Sequence, residues 1–233
     1  MALLPFSPRV IPTWQLAIIG MAVATQLLPS LAVLALPRPV PRARYWIGWW
    51  GLAFFVSDLS QVAISSFARV DNLWFFLIAN PIEDATLLMA FSYWQLRPVM
   101  RLSFRVAIPL LALVTLAIAI AFGELTTFKT ASSPFRLLLI TTAVTYTLVV
   151  RTSREQQRIW ERDWLWTSLG VTLYYAAYVV VDPVSAALLP DQPELARLVY
   201  VVKGAVDIVA FVMVWYGMRR PLPAAEPQSP LTV

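Results

Sequence analysis

The strongest constraint on this chain is a repeated one: long apolar stretches, about as long as a bilayer is thick, separated by short polar connections. Seven such runs cover residues 14–36, 45–68, 72–96, 104–122, 134–150, 163–181 and 195–218. Each approaches the roughly 20 residues that an α-helix needs to cross about 30 Å of hydrocarbon at about 1.5 Å per residue. Hydrocarbon offers nothing to backbone N–H and C=O groups, so a segment of this kind satisfies them internally, as helix. The expected fold is therefore all-α: a polytopic membrane protein with a seven-transmembrane-helix bundle over residues 1–220. Composition agrees, with 59% of residues hydrophobic and 13% charged, about half the charge of a soluble domain. The remaining residues, 221–233, read "PLPAAEPQSPLTV". They have nothing apolar to bury and are expected to form a disordered, proline-rich cytoplasmic tail.

Basic residues alternate between connections. Arg38, Arg42 and Arg44 follow the first run, Arg97, Arg101 and Arg105 the third, Arg151, Arg154, Arg158 and Arg162 the fifth, and Arg219 and Arg220 the last. The opposite connections carry Arg69, then Lys129 and Arg136, then Arg197. The positive-inside rule then places the N-terminus outside and the C-terminus in the cytoplasm, as a multi-pass protein of the cell inner membrane. The first run is too long for the core of a signal peptide and lacks a small-x-small cleavage site, so it reads as a retained helix.

With that distribution, the net charge of +5 bears on orientation. No basic groove alternates with aromatics, so no nucleic-acid partner is expected. The chain has no Cys, and its His count is 0. Disulfides, thiol nucleophiles, imidazole relays, histidine-ligated haem and most zinc sites are excluded, and no metal or cofactor is expected. Proton chemistry has to use Asp, Glu, Tyr or Lys.

The informative residues are polar ones inside the apolar runs. Asp58 lies in the second, Asn80, Glu83 and Asp84 in the third, and Lys203 with Asp207 in the seventh. A charge at membrane depth costs several kcal/mol unless paired, neutralised or wet, which makes each a candidate for function. Counted from the outer helix ends, Asp58, Asn80, Glu83, Lys203 and Asp207 fall about 11–17 Å deep. If the second, third and seventh helices are neighbours, these groups share one interior space.

Helical phase divides their roles. Lys203 and Asp207 are one turn apart on one face, with Tyr200 a turn further out. Asn80 and Glu83 share a face, whereas Asp84 sits about 100 degrees round and is expected to address another helix. Pro81 removes an amide from the third helix and is expected to kink it. In the sixth, Tyr174 and Tyr178 share a face and Tyr175 is offset; Trp50 shares a face with Asp58. Lys203 has three readings: a structural ion pair with a carboxylate, electrostatic support for a ligand or proton site, or an imine-forming amine. The acids outnumber the single lysine in this layer, and a buried carboxylic acid can hydrogen-bond a ligand or protonate an alkene or epoxide.

The stretch "NPIED" over residues 80–84 resembles the Pro-x-Glu-(Glu/Asp) motif of integral-membrane carotenoid lycopene cyclases. That resemblance covers five residues and implies carotenoid chemistry with Glu83 as proton donor. The helix arrangement also resembles small seven-helix terpene cyclases of meroterpenoid pathways, in which Asp58 and Asp207 would match acidic residues of the second and seventh helices. Their Trp-Glu neighbourhood is absent from "FVSDLSQ". The lysine of the last helix is similar to that of microbial rhodopsins, but Val199 stands where those proteins carry an aspartate.

Together these readings lead to one expectation: binding, and acid-catalysed cyclisation or isomerisation, of an apolar isoprenoid-like substrate entering from membrane lipid. Glu83, Asp58 and Asp207 are the catalytic candidates. Lys203, Asn80, Asp84, Tyr175, Tyr178, Trp50 and Tyr200 are the ligand-binding ones. The alternative is a non-catalytic seven-helix transporter, receptor or rhodopsin-like protein that uses the same network. Ligand identity, turnover and oligomeric state, a homo-oligomer included, are left open by the sequence.

Overall fold

The computed structural model describes residues 12–64, 73–123, 132–155, 159–188 and 190–220. Among them are eight α-helices, one short 3-10 turn and no strand: α1 (Thr13–Thr25), α2 (Leu28–Leu34), α3 (Arg42–Ala63), α4 (Leu73–Trp94), α5 (Pro98–Ala121), α6 (Ser132–Arg154), α7 (Asp163–Leu188) and α8 (Pro193–Met218). Five helical rods are long and apolar enough to cross a membrane: Thr13–Leu34, α5, α6, Asp163–Ser185 within α7, and α8. The protein is a helical membrane protein. Residues 221–233, expected to be disordered, lie outside the described residues, as do Arg69, Lys129 and Arg158.

The first apolar run is broken, where the sequence predicts one helix. Pro29 is the reason: it has no amide to offer the carbonyl of Thr25, so the chain turns at Gln26 and Leu27 and restarts as α2 with Pro29 in its first turn. The fourth run starts earlier than expected, at Pro98, and takes Arg101 and Arg105 into α5. The fifth, expected to be short, is a full helix that runs to Arg154. The sixth continues through Pro183 to Leu188, so "DPVSAAL" is helix.

The rods close into a ring. The α1–α2 rod packs on α3, α3 on α4, and each later helix on the next, until α8 returns to α1 and α2. Helix α4 also reaches α6, which leaves α5 on the outside. Its exposed Val99, Leu102, Val106, Leu110, Leu113, Leu116 and Ile120 form a lipid-facing stripe. The interior is filled by Ile47, Trp50, Leu87, Phe91, Ile140, Val171, Phe211 and Val214.

Two seams depend on glycine. A Cβ on Gly51 would stand 2.6 Å from the Gln26 carbonyl oxygen, so only glycine lets α3 lie against the α1–α2 turn. On α7, a Cβ at Gly170 would stand 2.6 Å from the Ala210 carbonyl oxygen of α8. Small residues at helix contacts matter in lipid because close backbone approach supplies the dispersion that the hydrophobic effect does not.

One end of the ring collects the arginines and is tied by them. The fully buried Arg44 donates from Nε to Asp163 at 2.8 Å and from Nη2 to the Arg220 carbonyl at 2.8 Å, joining α3 to the start of α7 and the end of α8. Arg151 donates to the Trp94 carbonyl at 2.7 Å and pairs with Glu155 at 2.5 Å. Gln95 donates to Thr147 at 2.7 Å. Arg136 departs from the expected pattern. The sequence reading assigns it to an outer connection, but α6 begins at Ser132, and one turn of helix carries Arg136 into the interior, where it is buried.

Candidate functional site

The polar residues of the apolar runs come together in the half of the bundle away from the arginine-rich end. Six rods contribute. Glu83 and Asp84, adjacent on α4, are both buried and face different helices. The Ser57 hydroxyl of α3 bonds the Glu83 carboxylate. Asp84 accepts from the Tyr175 hydroxyl of α7 at 3.3 Å and faces the Arg136 guanidinium of α6 at 3.7 Å. The angular offset of one residue on a helix, about 100 degrees, thus turns one carboxylate toward α3 and the other toward α6 and α7, with Arg136 within electrostatic range of both.

A second cluster lies on α8. Lys203 Nζ is 2.5 Å from Asp207 Oδ2, with both side chains 8% exposed. The ammonium also sits over two rings of α7, 3.8 Å from the Tyr178 centroid and 4.9 Å from that of Tyr174. A cation over an aromatic face interacts with the ring quadrupole, more strongly where water is excluded. The i,i+4 geometry of two helices therefore builds a half-cage: one carboxylate from α8 below the lysine, and two rings from α7 beside it.

Asp58 joins the clusters. Gln26, freed from helix by the Pro29 break, donates its amide to Asp58 Oδ2 at 2.6 Å. Asp58 lies within electrostatic range of Glu83 on one side and of Asp207 and Tyr178 on the other. Further out on α7, Asp182 accepts from the Ser133 hydroxyl of α6 at 3.0 Å and lies within range of both Lys203 and Arg136. Replacing Gln26 with leucine should lower stability by about 1.5–3 kcal/mol, the usual worth of a hydrogen bond to a charged group. Thermal unfolding in mild detergent measures it, and a change under about 0.5 kcal/mol, the scale of an ordinary surface substitution, would show that Asp58 does not lean on the amide.

On the side toward the arginine-rich end the layer is closed by aromatic rings. Trp50 stacks on Phe211 at 5.1 Å and meets Phe54 and Tyr174 edge-on at 5.2 and 6.2 Å. Tyr174 meets Tyr175 and Tyr178 at 5.2 and 5.1 Å. Asn80 is half-buried one turn from Glu83. Tyr200 lies beside Ser185 and within range of Asp182. Among the described residues, no group of three or more acids is arranged to hold a metal ion.

Sequence reasoning did not assign Arg136, Asp182, Gln26 or Ser133 to this layer. A signal was present for two of them. Arg136 lies inside the fifth apolar run itself, and the apolar residues after Asp182 continue as far as Leu188. For Gln26 the sequence holds the break at Pro29 but not the partner, which depends on which neighbour the break faces.

These features define a class: a helical membrane protein with three buried carboxyls (Glu83, Asp84, Asp207), two half-buried ones (Asp58, Asp182) and two buried cations (Arg136, Lys203) inside a ring of helices. The chain matches no protein-family model, and neither a curated protein nor a solved structure is similar enough to be paired with it.

Proposed function

We propose that this is an inner-membrane protein in which all seven rods cross the bilayer, N-terminus outside, and which binds an apolar isoprenoid-like molecule at the carboxylate–tyrosine layer. Glu83 supplies the proton for cyclisation or isomerisation, with Asp58 beside it, and Asp207 with Lys203 sets the local potential. The observation that carries this reading is the meeting of Asp58, Glu83 and Asp84 with the rings of Tyr174, Tyr175 and Tyr178 in one layer, in which all but the half-buried Asp58 and Tyr178 are buried. Acid-initiated polyene chemistry needs a proton donor and, next to it, π-faces that stabilise positive charge. The tyrosine faces of this layer already hold one cation, the Lys203 ammonium.

The test is extraction. Protein purified in mild detergent should release a bound isoprenoid-like lipid, identified by absorption spectrum and mass. Glu83→Gln should slow its conversion by about 10²–10⁴-fold, the usual contribution of a general acid. Wild-type extracts that contain phospholipid alone would overturn the proposal.

A second reading, a non-catalytic transporter, receptor or rhodopsin-like protein, is favoured by a different observation. Lys203 is fully engaged by Asp207 and two rings, and Trp50, Phe54, Tyr174 and Phe211 fill the middle of the bundle. A visible absorbance that hydroxylamine bleaches and Lys203→Ala abolishes would select the rhodopsin-like version of it.

A further inference from the structure

The arginines at the tied end of the bundle fall into two groups. Arg44, Arg151 and Arg162 each have a carboxylate partner. Arg42 and Arg105 have none among the described residues. They start on different helices, α3 and α5, yet converge on one ring of the helix between them: the Arg42 guanidinium lies 5.9 Å and that of Arg105 5.0 Å from the centroid of Tyr93 on α4. Arg105 sits two turns inside α5 and reaches back toward the end of the bundle to Ser92 Oγ at 3.4 Å. Arg101, also without a carboxylate partner among the described residues, donates to the Gln95 carbonyl at 2.8 Å at the same level.

Two exposed guanidiniums gathered at one ring with no carboxylate partner among the described residues form a positive spot that attracts an anion from outside. The surface below them says which kind. Tyr45 and Trp49 follow Arg42 down one face of α3, and Leu102 and Val106 flank Arg105 on α5; all four are exposed apolar side chains. A soluble anion would gain nothing from that surface, whereas a molecule with an anionic head and long acyl chains would use both parts.

We infer that the α3–α4–α5 face is a binding site for an anionic phospholipid, its phosphate between Arg42 and Arg105 over Tyr93 and its acyl chains along Tyr45, Trp49 and Val106. This site is separate from the carboxylate layer and does not depend on the function proposed for it.

Native mass spectrometry of the full chain in detergent tests this, with phosphatidylglycerol and phosphatidylcholine as probes. Wild type should retain phosphatidylglycerol in preference, and the preference should fall with rising salt. Arg42→Gln/Arg105→Gln should bind it about 25-fold more weakly, from about fivefold per basic residue at a membrane surface. Arg219→Gln, which removes a guanidinium placed over Trp215 instead, should leave binding unchanged. If the double variant does not fold, the two single variants should each show the fivefold loss. Equal retention of both lipids by wild type, an undiminished preference in the Arg42/Arg105 variants, or full displacement of the lipid by millimolar inorganic phosphate would overturn the assignment.

Discussion

Lys203→Met should destabilise the folded bundle by about 3–5 kcal/mol, the cost of leaving one member of a buried ion pair behind. The stranded group would be Asp207, whose second oxygen, Oδ1, already has no hydrogen-bond partner. Methionine fills the lysine's volume, so little of the loss would come from a cavity. Adding Asp207→Leu should return most of the stability, because two apolar side chains of similar size need no compensation in this position. The expected pattern is therefore strongly non-additive, with the double variant far more stable than Lys203→Met alone. Unfolding by titration with a denaturing detergent would measure it. A double variant as unstable as the single one would mean that the pair is not what Lys203 contributes. The same variants separate structure from function: if the pair serves only packing, the double variant should keep any bound ligand that wild type carries.

The second large effect is expected at the seam between α7 and α8. Gly170→Ala should cost about 3 kcal/mol, the upper end of the range for overpacking. The reason is that the new methyl would meet a backbone oxygen, at 2.6 Å, with the Val214 Cγ2 at 2.8 Å, and a carbonyl in a helix cannot turn aside as a flexible side chain can. Gly20→Ala provides the control. Nothing lies within 4 Å of its Cβ position, so alanine there should stabilise by about 1 kcal/mol through helix propensity. The two substitutions are chemically identical and should move the unfolding midpoint in opposite directions. If both stabilise, α7 and α8 are not packed as closely as described.

How much of this could be read beforehand differs from residue to residue. Helix positions followed from the apolar runs, because their length is set by the solvent and not by neighbours. Asp163, Pro193 and Met218 stand at or within two residues of the expected boundaries. The Pro29 break is a local effect that a residue-by-residue reading could have found, since proline's missing amide acts within a single turn. The divergence of Glu83 and Asp84 was expected from helical phase and is observed, although both turn out to face the interior. Arg136 stands near the edge of its apolar run, where the sequence does not separate loop from helix; α6 begins one turn before it, at Ser132, and so carries it inward.

By itself, then, the amino-acid sequence determined that the chain is helical, that it belongs in a membrane, and that Asp58, Glu83, Lys203 and Asp207 are out of place in its apolar segments. Those are properties of a residue and its near neighbours along a helix. The tertiary structure alone decided which charges answer one another: Arg136 for Asp84, Gln26 for Asp58, two tyrosine rings for Lys203. The partners in these contacts lie on different helices, and the order of helices around a closed ring is settled by glycine contacts and side-chain shape across the seams, which no periodicity within one segment encodes.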